Sequence, residues 1–175
     1  MGLRKAVRED LPAIMQIIDE AKEKLRRMVV DQWQDGYPNQ AIIEADIEAG
    51  EAFVWTIPSK TSPSPSVIAY IMFSFNSDPD YAVITDGQWL NTGDYAVFHR
   101  LAVASAYRGE GYAGQVLRRI IDLAQEAGFD SVRADTHSDN ISMQHTLENN
   151  GFERCGRVLI RGSEPRIAYE NRFRG

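Results

Sequence analysis

Apolar residues between positions 11 and 25 recur at helical spacing: Leu11, Ile14, Ile17, Ile18, Ala21 and Leu25. This periodicity predicts an amphipathic helix, with Asp10 as its cap and Pro12 tolerated in its first turn, fading near Val30. Ile42, Ile43, Ile47 and Ala49 mark a second helix, opened by Asn39 and closed by Gly50. The clearest helix runs from Tyr112 to Ala127, with Val116, Leu117, Ile120, Ile121 and Ala124 on one face and Gly128 at its end. A fourth covers Ile141 to Asn150 and stops at Gly151. Strand character appears in 3–7, 51–57, 67–75, 94–103 and 131–136, and near 156–161 and 166–173. Two segments break the pattern: the polar loop 58–66, and the long mixed stretch 76–93 with its turn signals Asp78-Pro79-Asp80 and Asp86-Gly87.

The order of elements is strand, two helices, three strands, helix, strand, helix, two strands. A mixed sheet with helices on its faces satisfies it. At 175 residues, with 43% hydrophobic and 25% charged positions, the chain suits one globular domain, 1–175. No repeat or long linker divides it. No apolar run reaches about 18 residues, so no membrane span is expected, and the first residues lack a secretory apolar region. The single cysteine, Cys155, excludes an internal disulfide and a cysteine-based zinc site, so the cytoplasm is the expected compartment. No metal site is expected. The formal charge of −6 argues weakly against nonspecific nucleic-acid binding.

The candidate chemistry lies at 108–114, Arg-Gly-Glu-Gly-Tyr-Ala-Gly, between a predicted strand and a predicted helix. Glycines let backbone amides approach a ligand closely. A helix N-terminus adds N–H donors and partial positive charge, so the junction suits a phosphate or pyrophosphate. A tight turn that merely needs glycine is the plainer alternative. Gly109 and Gly114 have P-loop spacing, but Gln115-Val116 stands where lysine and a hydroxyl are required. Gly109, Gly111 and Gly114 also match the dinucleotide fingerprint G-x-G-x-x-G, with Asp135 near the place of a ribose-binding acid. Against that reading, residues 104–108 intervene after the strand, and only 40 residues follow Asp135.

Leu101-Ala102-Val103 followed by Arg108-Gly109-Glu110-Gly111-Tyr112-Ala113 resembles the acetyl-CoA motif of the GNAT N-acetyltransferase superfamily, Arg/Gln-x-x-Gly-x-Gly/Ala. Asn140, Met143 and Gly151-Phe152 resemble the superfamily's second segment, and the element order is similar along nearly the whole chain. The resemblance implies a single α/β domain with a mixed, mostly antiparallel sheet of six to seven strands and about four helices. It also implies a cofactor cleft between two splayed parallel strands. Backbone groups of Leu101 and Val103 would then pair with the pantetheine arm, and amides from Arg108 to Gly114 would hold the pyrophosphate. Asn140 would bond the pantetheine or orient the second strand's exit, and His145 could meet the cofactor.

The implied activity is N-acetylation of a primary amine by direct attack in a ternary complex. His99 stands four residues before Val103, where many family members carry a catalytic glutamate. Imidazole can act as a base at neutral pH, and period-2 geometry puts His99, Leu101 and Val103 on one face, barring a bulge. Leu147 occupies the position of the tyrosine that often serves as general acid. Ser142, His137 or His145 could protonate the thiolate instead, or it could leave unassisted; His137 could equally cap the turn at Asp139-Asn140. The missing tyrosine also motivates an alternative, an acyl-CoA-binding or regulatory module without turnover.

Trp33 and Tyr37 are candidates for an aromatic wall around the amine, with Asp35, Glu44 or Asp46 attracting its charge. Packing of the helix–loop corner is the plainer role for both aromatics. Trp89 could be a lid or an interface residue, and Arg118 and Arg119 could meet the nucleotide's extra phosphate. The acceptor, a small molecule or a peptide amine, is not selected by any residue. Segment 76–93 could serve a homodimer.

Overall fold

The computed structural model describes residues 1–173. It contains strands β1 (Gly2–Lys5), β2 (Ala52–Ile57), β3 (Ser66–Ser74), β4 (Tyr95–Val103), β5 (Ser131–Thr136), β6 (Glu153–Ile160) and β7 (Glu164–Arg172). The α-helices are α1 (Leu11–Arg27), α2 (Gln40–Glu48), α3 (Tyr112–Glu126) and α4 (Ile141–Asn149). The strands follow the order β1-β2-β3-β4-β5-β7-β6 in one seven-stranded mixed sheet. The pairs β1–β2, β2–β3, β5–β7 and β6–β7 are antiparallel, and β4–β5 is parallel. The order predicted from periodicity is the observed one, with element ends displaced by a few residues.

The described residues form two compact units, 1–73 with 100–116, and 74–99 with 117–173. In the first, Ile14, Ile17 and Ile18 of α1 and Ile43 of α2 bury against Ala52, Val54, Tyr70 and Ala102. The stripe read from the sequence is therefore the buried face of α1. Asp10 departs from its expected role. Its backbone is helical and its side chain caps no α-helix N–H. Its carboxylate instead accepts from Val7 N–H (2.8 Å) and from Arg4 (2.7 and 2.9 Å), around a 3-10 turn at Arg8–Asp10. Asn39 does cap α2, accepting from Ile42 N–H at 3.0 Å.

Helix α1 ends at Arg27, short of the expected Val30, because Val29 turns left-handed (φ 56°). Val30 N–H then reaches Leu25 O, and Val29 N–H reaches Arg26 O. This is a Schellman closure, with the buried pair Val30 and Leu25 as its apolar contact. The position usually belongs to glycine, and no glycine stands there to announce the stop.

In the second unit, Tyr81, Val97, Cys155, Val158 and Ala168 form an apolar cluster. Around it runs a buried polar network. Glu170, fully buried, accepts from Ser131 Oγ (2.6 Å), Arg133 Nε (3.0 Å) and Leu90 N–H (2.7 Å). The Arg133 guanidinium also lies 4.3 Å from the Trp89 ring centroid and 3.8 Å from that of Tyr95. Trp89 Nε1 donates to Tyr81 O at 3.0 Å, so this tryptophan is tied into its own unit. Segment 76–93 lies along β6: Thr85 bridges Arg157, and a Cβ on Gly87 would meet the Cys155 carbonyl oxygen at 1.9 Å. Burial, with Glu170 nearby, pushes the Cys155 thiol up to about 11, which leaves it a poor nucleophile.

Val29→Gly should raise stability by about 0.5–1 kcal/mol, by removing a β-branched residue from a left-handed conformation; an unchanged urea midpoint would contradict the closure. Asp10 is also testable by pH. Burial pushes its carboxyl up, but the Arg4 hydrogen bonds and the Val7 N–H outweigh burial and hold it below the usual carboxylate range. A carboxyl depressed in the fold stabilises above its unfolded pKa, and that contribution is lost as pH falls through the folded value. Asp10→Asn should therefore cost up to about 1 kcal/mol at pH 7, since Arg4 is half-exposed, and the difference should vanish near pH 2 in paired denaturation curves.

Candidate active site

Strand β4 ends at Val103, and a 3-10 turn, Ser105–Tyr107, carries the chain to the glycine loop. Arg108 folds back: its Nε donates to Val103 O at 3.3 Å, while its Nη2 is buried with no hydrogen-bond partner. Lys24 of α1 is close enough to feel the Arg108 charge. Burial first, and then the Arg108 charge, lower its pKa. Two cations that disfavour each other, one with an orphaned donor, are what an anion would relieve. Lys24 lies 84 residues from Arg108, and nothing in the local sequence of α1 marks it.

Gly109 (φ 79°) and Gly111 (φ 84°) are left-handed, and a Cβ added at either would meet nothing within 4 Å. The loop therefore needs glycine for its backbone path, and the space over it is open. Gln115 N–H bonds to Gly111 O at 3.1 Å, so the amides of Gly111, Tyr112, Ala113 and Gly114 lie ahead of the helix ladder. Glu110 is exposed, and the Tyr112 ring packs edge-on to Tyr107. The chain's own residues thus fit a pyrophosphate.

Arg100 breaks the regularity expected of β4. Its φ of 58° places a left-handed residue inside the strand, so the expected shared face of His99, Leu101 and Val103 does not carry through it. Leu101 is buried and Val103 half-buried. Arg100 is held by Asp46 through Nε (2.9 Å) and Nη2 (2.6 Å), and its Nη1 donates to the Tyr37 hydroxyl (2.5 Å). Tyr70 donates to Asp46 at 2.5 Å. Asp46 is therefore engaged by a guanidinium and a phenol, not exposed to attract a substrate cation, and burial with the Asp46 charge pushes the Tyr70 phenol up. Trp33 packs against the core of the first unit. The structure gives both candidate wall aromatics packing or hydrogen-bonding partners of their own.

In the second unit His99 is half-buried, with Nε2 2.7 Å from Asp78 Oδ2 and Nδ1 3.8 Å from Asp135 Oδ2. Tyr81 lies tilted beside the imidazole (5.9 Å) and donates to Asp135 Oδ2 at 2.6 Å. Arg166 Nε stands 4.0 Å from Asp135 Oδ1 and bonds Glu164 through Nη2. Burial pushes the Asp135 carboxyl up despite His99, Tyr81 and Arg166, and Asp78 adds to the rise. Asp78 and Tyr81 escaped the sequence reading because they sit in the mixed segment, where no periodicity points to a partner.

The remaining candidates lie at β5 and α4. His137 Nδ1 accepts from Asp139 N–H at 3.0 Å, the turn-capping arrangement. Asn140 caps α4, accepting from Met143 N–H at 3.2 Å. Ser142 and His145 are exposed on α4, and Leu147 is fully buried core. Arg118, exposed on α3, donates weakly to Asn150 (3.4 Å), and Arg119 pairs with Glu126. Among the described residues, no group of three or more His, Cys, Asp or Glu side chains is placed to hold a metal ion, and no helix is long and apolar enough to cross a membrane.

A family model described as the acetyltransferase (GNAT) family matches residues 12–152. A GNAT-family acetyltransferase structure from Streptococcus agalactiae is 31% identical, covering 99% of this chain and 95% of that one, with a TM-score of 0.86. A GNAT-family structure from Listeria monocytogenes is 20% identical over 98% of this chain and 94% of its own, TM-score 0.72. A Salmonella typhimurium protein solved with its cofactor acetyl-CoA is 19% identical over 100% and 95%, TM-score 0.67. At that identity the last two speak for the fold alone. A search of curated protein sequences finds no significant match. With its motifs, its strand order and these matches taken together, the chain belongs to the acetyltransferase (GNAT) family.

Proposed function

We propose that this protein transfers the acetyl group of acetyl-CoA to a primary amine, by direct attack. The observation that carries the reading is the orphaned, buried Nη2 of Arg108, the residue that leads into the glycine loop before α3 and whose charge is felt by Lys24. Arg108, Lys24 and the amides of 109–114 would hold the phosphates. Bound acetyl-CoA supplies an activated thioester whose sulfur leaves as a thiolate.

His99 is the base in this reading. The amine must lose a proton as its nitrogen bonds the acetyl carbon, and imidazole titrates near neutral pH. The proton passes to His99 and then to solvent, and the carbon–sulfur bond breaks as the amide forms. A thiol with an ordinary pKa near 8.5 leaves without a dedicated acid, which agrees with the apolar Leu147. The two exposed α4 side chains, Ser142 and His145, are not needed for this balance. The acceptor class comes from the family's amine chemistry. Leu147 also keeps a second reading in play, a module that binds acyl-CoA without turnover.

The cofactor assignment is tested by thermal shift with acetyl-CoA, CoA, NAD and ATP. A ligand at 100 times its Kd contributes about 2.7 kcal/mol, roughly 5–10 °C for a domain of this size. Stabilisation by acetyl-CoA and CoA alone is expected, and Gly111→Val, forced off its left-handed path, should lose it. A shift with NAD instead would revive the dinucleotide reading, and unchanged CoA affinity in Gly111→Val would remove the loop as the site. An amine screen read by free-thiol release then tests transfer. His99→Ala should lower turnover about 10²-fold or more and flatten the pH dependence of the rate, with CoA stabilisation intact. A wild-type pH profile in that variant would remove His99 as base, and binding without thiol release for any amine would favour the module.

A further inference from the structure

The imidazole of His99 meets two carboxylates unequally. Nε2 is in short contact with Asp78 Oδ2 at 2.7 Å. Nδ1 faces Asp135 Oδ2 at 3.8 Å, outside hydrogen-bond reach, and that oxygen already accepts the Tyr81 hydroxyl at 2.6 Å. Asp78 is itself held from behind. Its Oδ1 accepts Asp80 N–H at 2.8 Å as the cap of the 3-10 turn Pro79–Tyr81, so its carboxylate is aimed before any ligand arrives. The same turn delivers Tyr81 to Asp135. One short turn in the mixed segment therefore sets the surroundings of both ring nitrogens.

An ionised carboxylate can only accept, so the nitrogen facing Asp78 carries the proton. We infer that Asp78 is a positioning residue for His99, holding its Nε2–H and leaving Nδ1 as the nitrogen that takes the acceptor's proton. In the transfer step one proton moves from the amine to Nδ1, neutral imidazole becomes imidazolium, and the Asp78 carboxylate at Nε2 offsets the new charge without taking a proton itself. The groups facing the ring are Asp78, Tyr81 and Asp135, with Arg166 behind Asp135 and Glu164 behind Arg166. The inference rests on His99 as base, but the tautomer it specifies exists whether or not an amine is turned over.

Two-bond proton–nitrogen spectra of histidine-labelled protein between about pH 5 and 9 test it. The chain has three histidines, so His137→Gln and His145→Gln assign the remaining signals. The expected result is a neutral His99 with the proton on Nε2, and a displaced Nε2 signal in Asp78→Asn, whose neutral amide oxygen is a weaker acceptor than a carboxylate. A neutral Nδ1–H form would overturn the inference. So would a His99 Nε2 signal left unchanged in Asp78→Asn. If that variant does not fold, the wild-type tautomer alone still decides. Thiol-release assays address the acetyl transfer separately, so a missing acceptor and a wrong tautomer give different failures.

Discussion

A guanidinium buried in the middle of a strand has to be answered by a carboxylate. In the first unit that pair is Arg100 and Asp46. Two nitrogen–oxygen contacts below 3 Å, a phenol from Tyr70 and the hydroxyl of Tyr37 saturate the pair. Removing one partner of such a pair typically costs about 3–5 kcal/mol, because the other charge stays buried and alone. The pair also holds a non-glycine residue in a left-handed conformation, which costs on the order of 1–3 kcal/mol when unsupported. Helix α2, strand β3 and the 31–39 loop are thus tied to one point on β4, next to the residues that lead into the glycine loop.

The second unit uses the same device. Glu170 is fully buried, and its oxygens are matched to Arg133, Ser131 and the Leu90 amide. Arg133 is further covered by two aromatic rings. These contacts organise the irregular stretch between β3 and β4, which has little periodicity to organise itself. That stretch in turn presents Asp78 and Tyr81 to His99 and Asp135. A segment without regular structure can hold a pre-aimed carboxylate when its C-terminal end, at Leu90 and Asn91, is fastened to a buried charge network.

The buried leucine at 147 and the orphaned donor of Arg108 bear on the chemistry from opposite sides. The first leaves that position of α4 without a proton donor. The second leaves a buried positive charge incompletely satisfied at the entry to the glycine loop.

The sequence alone determined what depends on near neighbours. Helical spacing in 11–25 and 112–127, the cap at Asn39, and the glycines at 109 and 111 are local, and element order follows from them. The family motif is local too. Two features carry no local signal: Val29 ends α1 without a glycine, and Arg100 interrupts β4 without any sign in its composition. Only the tertiary structure decided who faces whom. Asp46 proved to be the partner of Arg100, and Asp78 the partner of His99, across 54 and 21 positions of chain. A buried charge is answered by whichever opposite charge the fold brings within about 3 Å, and that distance is set by the packing of elements far apart in sequence, not by spacing along it.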